Sequence, residues 1–437
     1  MGKITITRKV EIFVNEKDND QRKNFYKQLR DYEYHTFKYA NQIVQLNYLK
    51  DILRTGLGAG KNIITPKEIS EKVSTIFECS ERNIGYKFIN EETYNILPSI
   101  IRSTLNSVIH KNYNSDKKDV LCGRKSIRNY RRGIPIPFQS ATINNLKKLD
   151  NNKNYTFTIF GTRKTPGIPM STRLGRDKSD NETILDRIAS GEYKMCDSSI
   201  QFKKNKLFFL MVVKIPKEIA ELDENKTLGI DLGLNIPLYA SVNTTNESLA
   251  IGSRENFLNQ RLTLKRRKKD LQRNLRFNTG GRGRKQKMKA LDRLNTTENN
   301  WVTTYNHKLS KQVIEFALKT KCKTINIEDL KGIGDNINTF VLSNWSYFQL
   351  QQFITDKAKK YGITVNKVTP KYSSQRCFEC GHIDRDNRKT QEHFECTNCG
   401  HKDNADHNAA KNISIANTKE YKKLIKKHSD SKTILVD

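Results

Sequence analysis

The opening residues, MGKITITRKVEIFV, alternate apolar and polar side chains with the period of a half-buried strand. From about Asp20 to Lys118 the apolar spacing lengthens. Phe25, Leu29, Phe37 and Ile43 recur at broadly helical intervals among lysines and tyrosines, which predicts a run of helices. Between Ile134 and Pro216 the pattern returns to short β-rich runs, YTFTIF and LFFLMVV, separated by the polar, glycine-containing stretch TRLGRDKSDN. Pairing of these runs with the N-terminal strand would make the helical stretch an insertion in a small β-barrel.

A third region begins at TLGIDLGLNIPLYASV, an apolar strand with glycines on either side of its acidic centre and a second strand after a turn. A basic segment from Arg261 to Leu294 follows, with the runs KRRKK and GGRGRK and only Asp270 and Asp292 as acids. Beyond it, NHKLSKQVIEFALKT places Leu309, Val313, Phe316 and Ala317 on one helical face, and TINIEDL reads as a strand. Another helix, QLQQFITDKAKKYG, leads to the strand ITVNKV and then to a group of cysteines. Strand, hairpin, helix and strand in this order make an α/β pattern. No internal repeat is visible, and the lysine-rich end from Lys419 is expected to fray.

At 437 residues the chain is long enough for several modules. Its 79 Lys plus Arg stand against 47 Asp plus Glu, a formal charge of +32. That self-repulsion suits a protein working against a polyanion, nucleic acid first. Charge alone is also compatible with a merely soluble basic protein or with an anionic lipid surface. The N-terminus lacks a basic leader with an apolar core, and no apolar run approaches membrane-spanning length. Cys79, Cys122, Cys196 and Cys322 are scattered singly, as expected in a reducing cytoplasm.

The remaining cysteines form two CxxC pairs, Cys377 with Cys380 and Cys396 with Cys399, with fifteen residues between the pairs. Each CxxC turn can aim two thiolates at one point, and two such turns complete the tetrahedron of a zinc site. Gly381 and Gly400 follow the second cysteine of each pair and suit tight turns. Redox dithiols are the competing explanation, but such motifs come singly near a βαβ pattern. Four protein ligands leave no position for water, so this zinc would be structural. His382, His393 and His401 are expected at the surface.

Asp231 lies inside the apolar run LGIDLGL, Glu328 ends the strand INIEDL, and Asp406 opens the helix-like NADHNAAKNI. An ionised carboxylate in such apolar surroundings needs cations or hydrogen bonds. Phosphodiester hydrolysis by two magnesium ions ~3.5–4 Å apart needs carboxylates clustered from separate elements. Taken singly, a turn acid, a strand-end group and a helix N-cap would account for the three.

The order GIDLG, INIEDL, SQRCFECG to CTNCG, NADHNAAKNI resembles the RuvC nuclease region shared by transposon-encoded TnpB proteins and type V CRISPR effectors, over roughly Thr227 to Ile413. TILDRIASGEY and NWSYFQLQQFI resemble the miniature effectors of subtype V-F. The resemblance implies a multidomain α/β and β protein with a RuvC-like RNase H-fold core. It implies a β-barrel wedge domain over 1–19 and 119–225, carrying a helical recognition insertion over 20–118. The nuclease domain would span 226–375 and 402–437, with a basic insertion at about 253–300 and a zinc ribbon at 376–401. Asp231, Glu328 and Asp406 match the family's magnesium-binding acids, and neighbouring Asp329 and Asp403 fit less well.

The resemblance further implies a guide RNA, double-stranded DNA as target, a short and usually T-rich flanking motif read by the protein, and two protein copies on one guide. Sequence choice then rests mainly with the RNA, while the protein holds the heteroduplex by shape and phosphate charge. Lys265, Arg266, Arg267, Lys268 and Lys269, with Arg282, Arg284 and Lys285, are the candidate phosphate contacts. Tyr26, Tyr32, Tyr34 and Tyr39 could stack on bases, although core packing accounts for most of them. A TnpB nuclease, a guided DNA binder that does not cut, and a zinc-ribbon RNA-binding protein remain alternatives.

Overall fold

The computed structural model describes residues 2–58, 65–93, 96–149, 154–161, 166–174, 181–218, 220–233, 236–277, 280–329, 346–390 and 392–433. Most of the polar stretch TRLGRDKSDN and the Asn-Trp that opens NWSYFQLQQFI lie outside them. The chain divides into two compact units, Gly2–Pro216 and Lys217–Asp437.

In the first unit β1 (Lys3–Val14) precedes four helices, α1 (Asn19–Gly58), α2 (Pro66–Ile76), α3 (Ile84–Thr93) and α4 (Ser99–Leu121). The strands β2 (Ile136–Phe138), β3 (Asn144–Lys148), β4 (Tyr155–Ile159), β5 (Ile168–Arg173), β6 (Lys194–Met195), β7 (Ser198–Lys203) and β8 (Lys206–Pro216) follow, with α5 (Asn181–Ala189) between β5 and β6. The sheet runs β2-β7-β8-β1-β5-β4-β3, with β6 also on β8. The N-terminal strand is therefore interior, antiparallel to β8 from Lys3↔Pro216 to Ile12↔Leu207 and to β5 from Glu11↔Arg173 to Val14↔Met170. Alternation puts Val10, Ile12, Phe209, Met211 and Val213 into one core with Leu29, Ile43, Ile101 and Leu105 of the helices. Tyr32 and Tyr39 are buried in that core, and the Tyr26 hydroxyl accepts from the Val14 N–H at 3.3 Å. Tyr34 is exposed, with the Arg132 guanidinium 5.2 Å from its ring.

The second unit is built on a mixed sheet of β9 (Asp223–Asp231), β10 (Leu238–Val242), β11 (Ser248–Ile251), β12 (Cys322–Glu328) and β13 (Thr364–Val368), ordered β11-β10-β9-β12-β13. The first three strands are antiparallel, whereas β12 runs parallel to both β9 and β13. Parallel neighbours need crossovers. These are α6 (Arg254–Arg276) and α7 (Gly281–Lys319) before β12, and α8 (Tyr347–Tyr361) before β13. Two further helices, α9 (Ala405–Ile415) and α10 (Lys419–Thr433), close the chain.

Three boundaries differ from the sequence reading. The units part at Pro216, and β9 already pairs at Asp223↔Cys322, so residues 217–225 belong with the second unit and not with the strands of the first. The basic insertion is no separate module: α7 runs unbroken from Gly281 into the amphipathic stretch, where Leu309, Val313 and Ala317 are buried. After Gly283 no glycine or proline interrupts the run up to Lys319 to stop the helix. The lysine-rich end forms α10, held by Tyr421 and Ile425 packing with Val368 and Ile413.

The two faces of this sheet are covered differently. Leu228, Ile230, Ile325 and Ile327 share a core with Leu309, Val313, Leu350 and Ile354 of α7 and α8. On the opposite parity, Gly229 lets α9 touch the strand: a Cβ there would overlap the Ala410 carbonyl oxygen and the Ser414 backbone. Next to it the buried Asn326 donates to the Ile413 and Ser414 carbonyls at 3.1 and 2.9 Å, satisfying groups that the end of a helix leaves open. Gly229→Ala is therefore expected to destabilise the protein by about 3 kcal/mol. Urea unfolding checks it; an unchanged midpoint would mean that α9 does not sit on β9.

Candidate active site and metal centre

Asp231 and Glu328 end two adjacent parallel strands, one step beyond the Ile230↔Ile327 pair. They share the parity of Gly229 and Asn326, the α9 side, which brings Asp406 in the first turn of that helix to the same strand ends. A Cβ on Gly233 would lie 3.6 Å from the Asp406 Oδ2. Asp406 is not the helix cap. Asn404 is, its side chain accepting from the Asp406 and His407 N–H groups at 3.0 and 3.1 Å. The Asp406 carboxylate is thereby released to face Asp231.

All three carboxylates are buried. Burial, then the Asp406 charge, pushes the Asp231 carboxyl up to about 7, against the pull of Arg388. Burial and Asp231 push Glu328 well above the carboxylate range, with the Leu232 backbone N–H and Arg388 opposing. Burial also raises Asp406. Such a cluster carries more negative charge than its protein surroundings balance, and carboxylate oxygens are the hard donors that divalent cations such as magnesium take.

Several supporting residues carry no sequence signal strong enough to single them out. Gln351 donates to the Glu328 carbonyl at 2.6 Å, and the buried Tyr347 donates its hydroxyl hydrogen to the Gly233 carbonyl at 3.1 Å. Arg388 brings its Nη2 to 3.5 Å from the Asp406 Oδ1. His407 is set by Asp403, 2.7 Å from its Nδ1, which accounts for Asp403 as an orienting acid. Asp329 donates its backbone N–H to the Val368 carbonyl at 2.7 Å, continuing the β12–β13 pairing past Glu328.

The four cysteines converge, their sulfurs all within 4.8 Å of one another. Cys377 Sγ lies 3.8 Å from Cys399 Sγ, and Cys380 Sγ 3.5 Å from Cys396 Sγ. The two knuckles repeat one hydrogen-bond pattern. Gly381 N–H to Cys377 O and Gly400 N–H to Cys396 O are both 3.0 Å, and the Cys377 and Cys396 N–H groups reach the His382 and His401 carbonyls at 2.8 Å. Gly381 and Gly400 have φ of 81° and 71°, a left-handed turn that glycine adopts without strain. His393 is exposed, while His382 and His401 are half-buried and point to Asp384 and Asp403 at 3.7 and 3.9 Å.

The ribbon is tied to the acids through α9. Its hairpin, β14 (His393–Glu395) with β15 (Lys402–Asn404), runs straight into the helix that begins at Ala405. Asn408 accepts from the Phe378 N–H at 3.0 Å, and Asn408 and Asn412 donate to the Arg376 carbonyl at 2.8 and 2.7 Å. In NADHNAAKNI the asparagines thus cap the helix and hold the ribbon, while the Ala410 backbone lies against Gly229 and Ala405 packs with Cys377, Phe394 and Cys396.

The basic residues lie on a helical hairpin. Phe257 stacks near Trp301 and Tyr305 at 5.4 and 5.6 Å, Arg261 pairs with Glu298 at 3.2 Å, and Arg284 donates to the Leu275 carbonyl at 3.1 Å. These contacts set α6 antiparallel to α7. Lys265, Arg266, Arg267 and Lys269 are exposed on α6, with Lys268 half-buried; Arg282 and Lys285 are exposed on α7 and Arg284 half-buried. None of the eight is among the groups whose charges shift Asp231, Glu328 or Asp406.

The Cas12f1-like TNB domain family matches residues 347–413, and a probable transposase family, OrfB of IS605, matches residues 210–334. The CRISPR-associated endodeoxyribonuclease Cas12f1 of Sulfoacidibacillus thermotolerans is 33% identical over 347 residues, covering 76% of this chain and 80% of the relative. Its counterpart in Syntrophomonas palmitatica is 32% identical over 342 residues, covering 65% and 68%. The putative RNA-guided DNA endonuclease InsQ of Escherichia coli is 28% identical over 208 residues, covering 43% and 48%. A solved Cas12f1–sgRNA–target DNA complex has the same fold, with a TM-score of 0.69 and 20% identity over 94% of this chain and 99% of that one.

Proposed function

The chain belongs to the Cas12f1 family of CRISPR-associated endodeoxyribonucleases, and from that membership we propose that it cuts double-stranded DNA at Asp231, Glu328 and Asp406 under the direction of a bound guide RNA. It is an RNA-guided DNA endonuclease of the miniature type V-F kind, related to TnpB. The observation that carries the site assignment is the convergence of three buried carboxylates from β9, β12 and α9 on one set of strand ends.

These acids would hold magnesium, and two bound ions supply an activated water and a stabilised leaving oxygen. The protein's own part is to fix the carboxylates. Gln351 and Tyr347 brace the ends of β12 and β9, Asn404 frees Asp406, and Arg388 sets a fixed positive charge at the edge of the cluster. An arginine there can hold a phosphate oxygen of the strand being cut. Arg388→Ala is expected to slow single-turnover cleavage on the order of 100-fold with little change in target binding. Equal rates for the two proteins would remove Arg388 from the site.

The four cysteines would hold one structural zinc, completing the ribbon at 376–401. In this reading the antiparallel sheet of the first unit is the wedge domain and α1 to α4 its recognition insertion. The second unit, without the ribbon, is the RuvC-like RNase H-fold nuclease. Lys265 to Lys269 with Arg282, Arg284 and Lys285 follow phosphates of the nucleic acid, and the protein reads a short T-rich flank. Two copies share one guide, which fits Leu49 and Ile52 left exposed on one face of α1. Among the described residues no helix is long and apolar enough to cross a membrane, and we place the enzyme in the prokaryotic cytoplasm.

The reading is tested with a plasmid library carrying a target beside randomised flanks, incubated in magnesium with protein purified with its guide RNA. Cleavage that disappears after ribonuclease treatment, with one enriched flank among the cut products, is the expected result. Matched targets that are bound but never cut would make the protein a guided binder instead.

A further inference from the structure

Among the described residues, one large aromatic ring stands uncovered on the turn that braces the two acid-bearing strands. The first turn of α8 is pinned at two points: Tyr347 reaches the Gly233 carbonyl after β9, and Gln351 reaches the Glu328 carbonyl at the end of β12. Burial, then the charges of Asp231 and Glu328, pushes the Tyr347 phenol above its ordinary range, which marks how near this turn is to the carboxylates. Phe348 lies between the two pins and is 75% exposed. Lys367, one residue before the Val368 that pairs with Glu328, holds its Nζ 5.5 Å from the centre of that ring.

A solvent-facing ring on a pinned turn, with a cation over one face, offers the two contacts that one nucleotide needs, its other π-face for the base and a charge for the phosphate. We propose that Phe348 is the stacking platform for the base of a DNA nucleotide next to the scissile phosphate, with Lys367 against the neighbouring phosphate. This rests on the assignment of Asp231, Glu328 and Asp406 as the cutting site. Stacking accepts any base, so the platform aligns the strand without adding sequence preference. Its ring faces solvent, so its removal leaves the pinned turn and the fold intact.

The test uses guide-loaded protein on matched duplexes in which each nucleotide around the cut is made abasic in turn. Wild type is expected to lose on the order of 10-fold to 100-fold in single-turnover rate at one position beside the cut, and Phe348→Ala to lose as much on intact DNA. Phe348→Ala should lose nothing more at that abasic position, and Phe348→Trp should restore the rate on intact DNA. Target binding in EDTA should match wild type for both variants. A Phe348→Ala rate equal to wild type, or losses that multiply at every abasic position, would overturn the proposal. Asp231→Ala measured alongside separates the layers. If it is inert while Phe348→Ala cuts normally, only the platform fails; if it cuts, the site assignment beneath it fails.

Discussion

Asp231→Ala is expected to cut matched DNA on the order of 1,000-fold more slowly than wild type while making the metal-free protein more stable. The rate loss corresponds to about 4 kcal/mol of transition-state stabilisation, the size expected when a group organising the reacting charge is removed. The gain in stability has the same origin. In EDTA the buried Asp231 faces both Glu328 and Asp406, with Arg388 beside Asp406, and like charges out of water repel. Removing the one at the centre relieves that repulsion by about 1–2 kcal/mol, and replacing functional groups commonly trades activity for stability in this way. Thermal melts in EDTA and single-turnover rates in magnesium, on the same preparations, check both halves. A variant that melts below wild type would mean that Asp231 is a structural acid.

Cys396→Ser is expected to cost more of the fold than any substitution at the acids. Structural zinc contributes roughly 10–16 kcal/mol of apparent binding free energy in small zinc domains, so losing one of four thiolates removes a large share of what orders the ribbon. The consequence reaches the acids. β14 and β15 flank the second knuckle, β15 runs directly into α9, and Arg388 is carried on the same ribbon. The variant should therefore lose zinc, lose protection of the amides of residues 393–404 in hydrogen exchange, and cleave far more slowly while still binding guide RNA. Full activity in a protein shown to lack zinc would separate the ribbon from the reaction.

The parts legible in the sequence were those whose chemistry repeats locally. Two CxxC turns followed by glycine announce a tetrahedral sulfur site, and an acid flanked by glycines in an apolar strand announces a buried carboxylate. The alternation of β1 and β8 gave their strands, and helical spacing gave the insertion between β1 and β2. What could not be read depended on contacts through space. Arg388 sits in a polar stretch with no periodicity, and only the folded ribbon brings it to Asp406. Asn404 and Asp406 are both good capping residues, and only the observed bonds decide between them. The length of α7 was missed because its first half buries little, so no apolar stripe marks it as helix. Gly229 reads as a strand glycine in the sequence, and only the fold sets α9 against it.

One measurement bears most directly on the claim that these acids cut DNA under RNA direction. Guide-loaded wild type and Asp406→Ala are given the same matched duplex, in magnesium and in EDTA, with binding and cleavage followed in each sample. Equal binding throughout, with cleavage only by wild type in magnesium, is the predicted result. Cleavage by Asp406→Ala at the wild-type rate, or by wild type in EDTA, would contradict it.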